Sequence, residues 1–399
     1  MSVGSGTLES LRELNRLRVV DALRTAGRLS RSDIARRTGL SRSTVSTLVA
    51  GLVARGFIVE TSADGESTPA GQGRPPTMLA LDRSAGAAVG VDFDHDRVRV
   101  AVSDLSRAVL AEAVEPMDVD HDAGQAMNLA ARLIGRVLDE AGIDATRVLG
   151  VGVAIAGPVD APHGTLHRSP ILPGWDGVDL ADELGTLLDL PIHVDNDANL
   201  GALAEVTLGA GRNARHAIYL QISGGIGAGL IIDGRPYRGA FGAAGELGHI
   251  VIDDDGAICR CGNRGCLETL ASGPALTRLL GESRGTEPTV AEMVALAQAG
   301  DLGCRRAIAD AGRHVGRALG AMCNLFNPEM VVVGGDLSAA GELLLGPLRE
   351  SVMRSAVPMA TGGLDVVAGV LGERANVLGA LALAIAQSEQ AVAARIAAA

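Results

Sequence analysis

Between Gly245 and Glu268 the chain reads GELGHIVIDDDGAICRCGNRGCLE, and this stretch limits its possible folds more than any other. His249, Cys259, Cys261 and Cys266 fall close together, with Gly262 and Gly265 available to let the backbone wrap back on itself. Three thiolates and one imidazole form a closed tetrahedral set for zinc, Zn(2+), with no position left open for a substrate, so a structural ion is expected. Its expected task is to fix the loop that carries Glu246, His249 and Glu268. Three buried thiols beside an unrelated histidine are the alternative, which the dense spacing disfavours. Cys304 and Cys323 sit on helical patterns and read as core residues.

At 399 residues the chain is too long for one compact core, and its charge divides it. Up to Pro76 there are 11 arginines against 7 acidic residues, whereas the remainder carries 24 against 40. A cationic head on an anionic body suits a protein that touches nucleic acid through its head alone. All 35 basic residues are arginine, which excludes a Walker-type phosphate-binding lysine. No apolar run reaches the roughly 18–20 residues that span a bilayer. The first residues, MSVGSGTLESLRELNR, lack the apolar core of a signal peptide, and 5 cysteines do not read as a disulfide framework. A cytoplasmic protein with no membrane partner is expected.

In the head, apolar residues at helical spacing from Leu8 to Leu23 predict an amphipathic helix ended by Gly27. Ser30 then caps a short helix through Asp33 to Arg37, Gly39 makes a turn, and Ser41 caps a further helix through Val45, Leu48, Val49 and Leu52. This is a helix-turn-helix, with Ile34, Ala35, Leu40, Val45 and Leu48 as its core. The first residues of its second helix are those that meet base edges in double-stranded DNA. Arg42 can donate two hydrogen bonds to a guanine, Ser43, Thr44 and Thr47 can contact phosphate or base, and Arg36 and Arg37 suit phosphates. For any one of them a solvated helix face is the alternative. Phe57–Glu60 and Met78–Leu81 read as the strands of a wing. The Gly-, Ser- and Pro-rich loop between them places Arg74 to enter a narrow minor groove.

From Ala85 onward, apolar strand-like runs alternate with helical segments, as in an α/β region of two lobes. Asp195, Asn196, Asp197 and Asn199 cluster just after the strand-like run Leu190–Val194. Carboxylates and amides at a strand end can bind the vicinal hydroxyls of a sugar, and an Asp there can act as general base; helix capping is the competing reading. Trp175 reads either as a pocket wall or as a core residue.

These residues together resemble the ROK family, which groups bacterial sugar-responsive repressors with sugar kinases on an actin-like fold. The resemblance runs from Leu8 to about Ala386, and its most specific parts are Glu246–His249 and Cys259–Glu268. It implies a winged helix-turn-helix over 1–82 and a bilobal actin-like ATPase (ribonuclease H-like) sugar-kinase fold. The first lobe would comprise 83–198 plus 376–399 and the second, with the zinc site, 199–375. It also implies zinc on His249, Cys259, Cys261 and Cys266, and a sugar on Asn196, Asp197, Glu246, His249 and Glu268. Asp197 stands at the kinases' catalytic base. The head looks like that of the repressor branch, which implies operator DNA, a sugar effector and a homodimer or dimer of dimers.

The departures lie where kinases of the family bind nucleotide. Their first phosphate loop, Asp-x-Gly-Gly-Thr, corresponds here to Asp92-Phe93-Asp94-His95-Asp96, whose extra carboxylates and bulky Phe93 are expected to repel or block a triphosphate. In the second, Ser223–Gly229, Gly224 replaces a hydroxyl residue. Gly334-Gly335-Asp336 still resembles the adenosine-side turn. The expectation is a sugar-responsive repressor without kinase activity. A sugar kinase bearing a DNA-binding head, and a repressor controlled by another protein, are the competing readings.

Overall fold

The computed structural model of the chain describes residues 8–61, 77–160, 163–166 and 171–388. The head comprises α1 (Leu8–Ala26), β1 (Leu29–Ser30), α2 (Arg31–Thr38), α3 (Arg42–Ala54), β2 (Ile58–Thr61) and β3 (Met78–Leu81). Its helix ends are set locally. Ser30 and Asp33 form a capping box, Gly39 ends α2 in the left-handed region, and Ser41 Oγ accepts from the Thr44 N–H. Each such cap contributes about 1 kcal/mol. The strands pair in the order β1-β3-β2, so the wing's two strands stand as expected; its loop, with Arg74, lies outside the described residues. Ile34, Val45 and Leu48 are buried in the head's core, with Ala35 and Leu40 at its margin. Leu105 and Leu149 of the following lobe complete that core, and the buried Arg24 at the end of α1 donates from Nε to the Leu105 carbonyl at 3.1 Å.

The first lobe holds β4 (Ala87–Asp94), β5 (Arg97–Asp104), β6 (Val109–Pro116), α4 (Ala123–Ala141), β7 (Val148–Ile155), the short pair β8 (Val159–Asp160) and β9 (Thr165–Leu166), α5 (Leu180–Leu188) and β10 (Ile192–Asn196). Its sheet runs β10-β7-β4-β5-β6, parallel on the β10 side of β4 and antiparallel on the β6 side. After α6 (Asp197–Thr207), the second lobe repeats this connectivity. Its sheet runs β13-β12-β11-β14-β15, formed by β11 (Ala217–Ile222), β12 (Ile226–Ile232), β13 (Arg235–Tyr237), β14 (Met330–Gly334) and β15 (Asp365–Ala368). Helices α7 (Glu268–Ala271), α8 (Gly273–Arg284), α9 (Val290–Gln298), α10 (Leu302–Phe326), α11 (Glu342–Ser355) and α12 (Pro358–Thr361) belong to this lobe, and α13 (Ala375–Gln387) returns to the first. Two like sheets facing across a cleft make the actin-like architecture.

Bare glycines let helices and sheets meet backbone to backbone. A Cβ on Gly152 of β7 would lie 1.9 Å from the Ala380 carbonyl oxygen of α13, and one on Gly379 would lie 2.0 Å from that of Leu200 on α6. Helix α6 is thereby held against α13, at the junction of the lobes. Buried Glu205 reinforces the junction, accepting the backbone N–H groups of Ala210, Val370 and Leu371 at 2.7, 3.0 and 3.1 Å.

Strand β4 persists to Asp94, and its alternation sends Phe93 into the core beneath α4, 1% exposed. The expected obstruction of a phosphate by Phe93 is therefore incorrect. Its ring meets Trp175 edge-on with centroids 5.2 Å apart, and Trp175 Nε1 donates to the Val119 carbonyl at 2.7 Å. Trp175 is a core residue.

Candidate functional site

The carboxyl ends of β4, β7 and β10 face the β11–β12 turn across a cleft of about 530 Å³. Asn196 caps α6: its Oδ1 accepts from the Asn199 N–H at 3.1 Å, and its Nδ2 donates to the Gly157 carbonyl at 3.1 Å. Capping and cleft lining thus coincide in this residue. Asp197 follows in the first turn of α6, taking the N–H of Ala198 at 2.8 Å and the amide of Gln221 at 2.7 Å. Burial pushes its carboxyl up to about 6 against these hydrogen bonds, with the charges of Asp94 and Glu246 adding to the rise and that of His95 opposing it. Its carboxyl oxygens can accept a hydrogen bond from a hydroxyl. Asp195 turns away from the cleft, pairing with Arg238 Nε at 2.8 Å.

Across the cleft, Glu246, His249 and Glu268 line the wall together with Arg260. Burial and the neighbouring Glu268 raise the Glu246 carboxyl above the ordinary range, with Arg260 opposing. Glu268 is held by Arg260 Nε at 2.8 Å and by the N–H of Ile226 at 3.3 Å. The five expected sugar positions therefore share one cleft. Gln221, Arg260 and His95 also line it; Arg260 lies within the cysteine segment and His95 within the first phosphate loop, yet neither is among the expected sugar positions, and Gln221 belongs to no motif.

Behind this wall, His249, Cys259, Cys261 and Cys266 place one ligand atom each within 4.8 Å of the others. His249 Nδ1 and Cys259 Sγ are 3.6 Å apart, and the sulfurs of Cys261 and Cys266 are 3.7 Å apart. Corners of a tetrahedron with Zn–S of about 2.3 Å and Zn–N of about 2.1 Å stand roughly 3.5–3.8 Å apart, so the donors fit. The loop closes because Gly265 adopts φ +69°, where a Cβ would fall 1.5 Å from the Asp253 carbonyl oxygen. With Nδ1 facing the sulfurs, His249 Nε2 lies 3.8 Å from Glu246 Oε2 on the cleft side. The group can hold a metal ion.

At the other end of the cleft, His95 Nδ1 lies 2.7 Å from Asp120 Oδ1. Burial disfavours the charged imidazole, but Asp120, Asp94 and Asp197 outweigh it and hold the pKa above the ordinary value. Arg97 occupies the space beside Asp94 at 2.9 Å and Asp96 at 3.3 Å, and reaches Asp336 of the opposite lobe at 3.9 Å. The extra carboxylates of the first phosphate loop thus meet a cation within their own loop. Asp92 lies beneath, with Oδ1 buried and lacking a hydrogen-bond partner; burial, Asp94 and Asp197 push its carboxyl well up.

On the head, Arg37, Arg42, Ser43 and Thr47 are exposed and Thr44 half-buried. The hydroxyls of Ser43 and Thr44 both contact Ser41 Oγ, at 2.9 and 2.8 Å, and Thr47 Oγ1 donates to the Ser43 carbonyl at 3.1 Å. Arg36 pairs with Asp33 at 2.6 Å. Among the described residues no helix is long and apolar enough to cross a membrane.

A model of the ROK family matches residues 88–387, and one of the MarR family matches residues 13–66. The xylose repressor of Caldicellulosiruptor bescii is 32% identical, over 96% of this chain and 98% of that protein. The glucokinase of Thermotoga maritima is 34% identical over 74% of this chain and 96% of its own length, leaving about a quarter of the present chain unmatched. A crystal structure of a ROK family transcriptional regulator, described as a homologue of the E. coli Mlc protein, superposes with a TM-score of 0.79 at 25% identity. It covers 98% of this chain and 100% of that one.

Proposed function

The chain belongs to the ROK family, and from that premise we propose that it is a sugar-responsive, DNA-binding transcriptional repressor of carbohydrate-metabolism genes in the cytoplasm. The observation that carries the reading is the presence, in one chain, of a winged helix-turn-helix and a cleft walled by carboxylates and amides suited to hydroxyls. Arg42, Ser43, Thr44 and Thr47 open the helix that would read bases, with Arg36, Arg37 and Arg74 on phosphates or in the minor groove. Asn196, Asp197, Glu246, His249 and Glu268 would hold the sugar. Zinc held by His249, Cys259, Cys261 and Cys266 would be structural, fixing the loop that presents Glu246, Arg260 and Glu268. With one head per chain, a homodimer would read two half-sites. The head would span 1–82, the first lobe 83–198 with 376–399, and the second 199–375.

The test uses an operator duplex selected in vitro with the full chain. Xylose and glucose, the sugars in the relatives' names, are the first probes, followed by their epimers. Sugar should change operator affinity, and a null result across the panel overturns the reading. Arg42→Ala should weaken operator binding by roughly 10- to 100-fold while leaving calorimetric sugar binding intact.

The kinase reading has one observation in its favour, Asp197 lining the cleft at the position of the family's catalytic base. An assay of sugar-dependent ADP formation separates the two. The expected result is no turnover above background; turnover that Asp197→Asn abolishes would establish a kinase.

A further inference from the structure

Two of the positions at which this chain departs from the kinase phosphate loops touch each other. His95 stands in the first loop and Gly224 in the second, on opposite lobes, and the imidazole seats itself on the bare glycine. A Cβ built on Gly224 would come within 2.8 Å of His95 Cδ2 and 3.4 Å of Nε2. A hydroxyl residue at 224 and an imidazole at 95 therefore cannot both keep these places. The opposite edge of the ring is secured by Asp120, 2.7 Å from Nδ1. That carboxylate places a proton on Nδ1 and fixes the ring's orientation. The side chain keeps 26% of its surface open, and the ring lines the same cleft as Asp197 and Asn196.

We propose that His95, oriented by Asp120 and seated on Gly224, is an effector-contacting residue: it closes the end of the cleft through which a phosphoryl group would approach, and presents Nε2 to the sugar hydroxyl beside Asp197. With Nδ1 protonated, Nε2 accepts a hydrogen bond when the ring is neutral and donates one when it is charged. A hydroxyl both donates and accepts, so a sugar satisfies either state. The inference rests on the sugar-effector reading and adds a ligand wall to it. It also makes His95 a bridge between lobes, because its partner Asp120 belongs to the first lobe and its seat Gly224 to the second.

The experiment is calorimetric titration of the full-length protein with xylose, glucose and their epimers, using the sugar that wild type binds best. His95→Ala should weaken binding by about tenfold, the worth of one ligand hydrogen bond. His95→Gln, which keeps a polar group there, should recover part of the loss. Gly224→Ser should cost a similar factor in the wild-type background, by displacing the ring, and little in the His95→Ala background. That non-additivity would show that the serine acts by displacing the ring, and the partial recovery by His95→Gln separates a lost ligand hydrogen bond from lost packing. Equal affinity of His95→Ala and wild type, or an undiminished cost of Gly224→Ser once the imidazole is gone, overturns the proposal. If wild type binds no sugar of the panel, the effector reading itself fails and this inference with it.

Discussion

Cys266→Ala should strip the metal loop of its ion and abolish the sugar response while operator binding survives. Cys266 is fully buried, and its sulfur stands 3.7 Å from that of Cys261. If these four donors hold zinc as proposed, loss of one thiolate would leave it held too weakly to order the chain around it. Four cleft residues depend on that order: Glu246 and His249 precede the wrapped segment, Arg260 lies within it, and Glu268 follows it. With several hydrogen-bonding groups displaced at once, sugar affinity should fall by on the order of 100-fold or more. The head's core draws Leu105 and Leu149 from the first lobe but includes none of the loop's residues, so operator affinity without sugar should stay within about threefold of wild type. Metal analysis, calorimetry and operator anisotropy measure the three quantities. Retained sugar affinity in a protein shown to lack zinc would remove the loop from the sugar site.

Gly152→Val should be among the most damaging substitutions in the chain. The Cβ would lie 1.9 Å from the Ala380 carbonyl oxygen, and both partners are backbone, the interior strand β7 and helix α13, so neither a rotamer change nor a local shift relieves the clash. Helix α13 would have to lift off the sheet, uncovering Val377, Leu381 and Ile385. Overpacking of this kind costs about 3 kcal/mol or more, corresponding to roughly 6–12 °C in the unfolding midpoint of a lobe of this size. Gly135→Ala is the matching control. Gly135 lies within α4 with nothing inside 4 Å of its Cβ position, so that change should leave the midpoint unchanged or raise it. Equal midpoints for the two variants would mean that α13 does not pack as described.

Features written in neighbouring residues were legible in the sequence. The caps at Ser30 and Ser41 and the turn at Gly39 depend on side chains within three positions of the backbone groups they satisfy. The donors His249, Cys259, Cys261 and Cys266 likewise sit on one short segment. The features that escaped join distant elements: Gln221 to Asp197, His95 to Asp120, and Arg24 to Leu105. No local pattern encodes these pairs, which arise only when the lobes close into their folds. The misreading of Phe93 had a different origin. Residues 92–94 of the phosphate-loop motif still belong to β4, and the two-residue period of a strand, not the motif, decides which face a side chain takes. Asp92 and Phe93 consequently point to opposite sides of the same sheet.

The shared core of head and first lobe has a mechanical corollary. Leu105 and Leu149 pack among the head's own apolar residues, and Arg24 donates to the Leu105 carbonyl, so the head is seated directly on the first lobe. An angular change of the first lobe would therefore be expected to reach the head, and α3 with it, through this contact. The groove of DNA tolerates little misalignment between two heads at fixed spacing. In a dimer of the kind proposed, cleft closure would then change how the paired heads meet the groove.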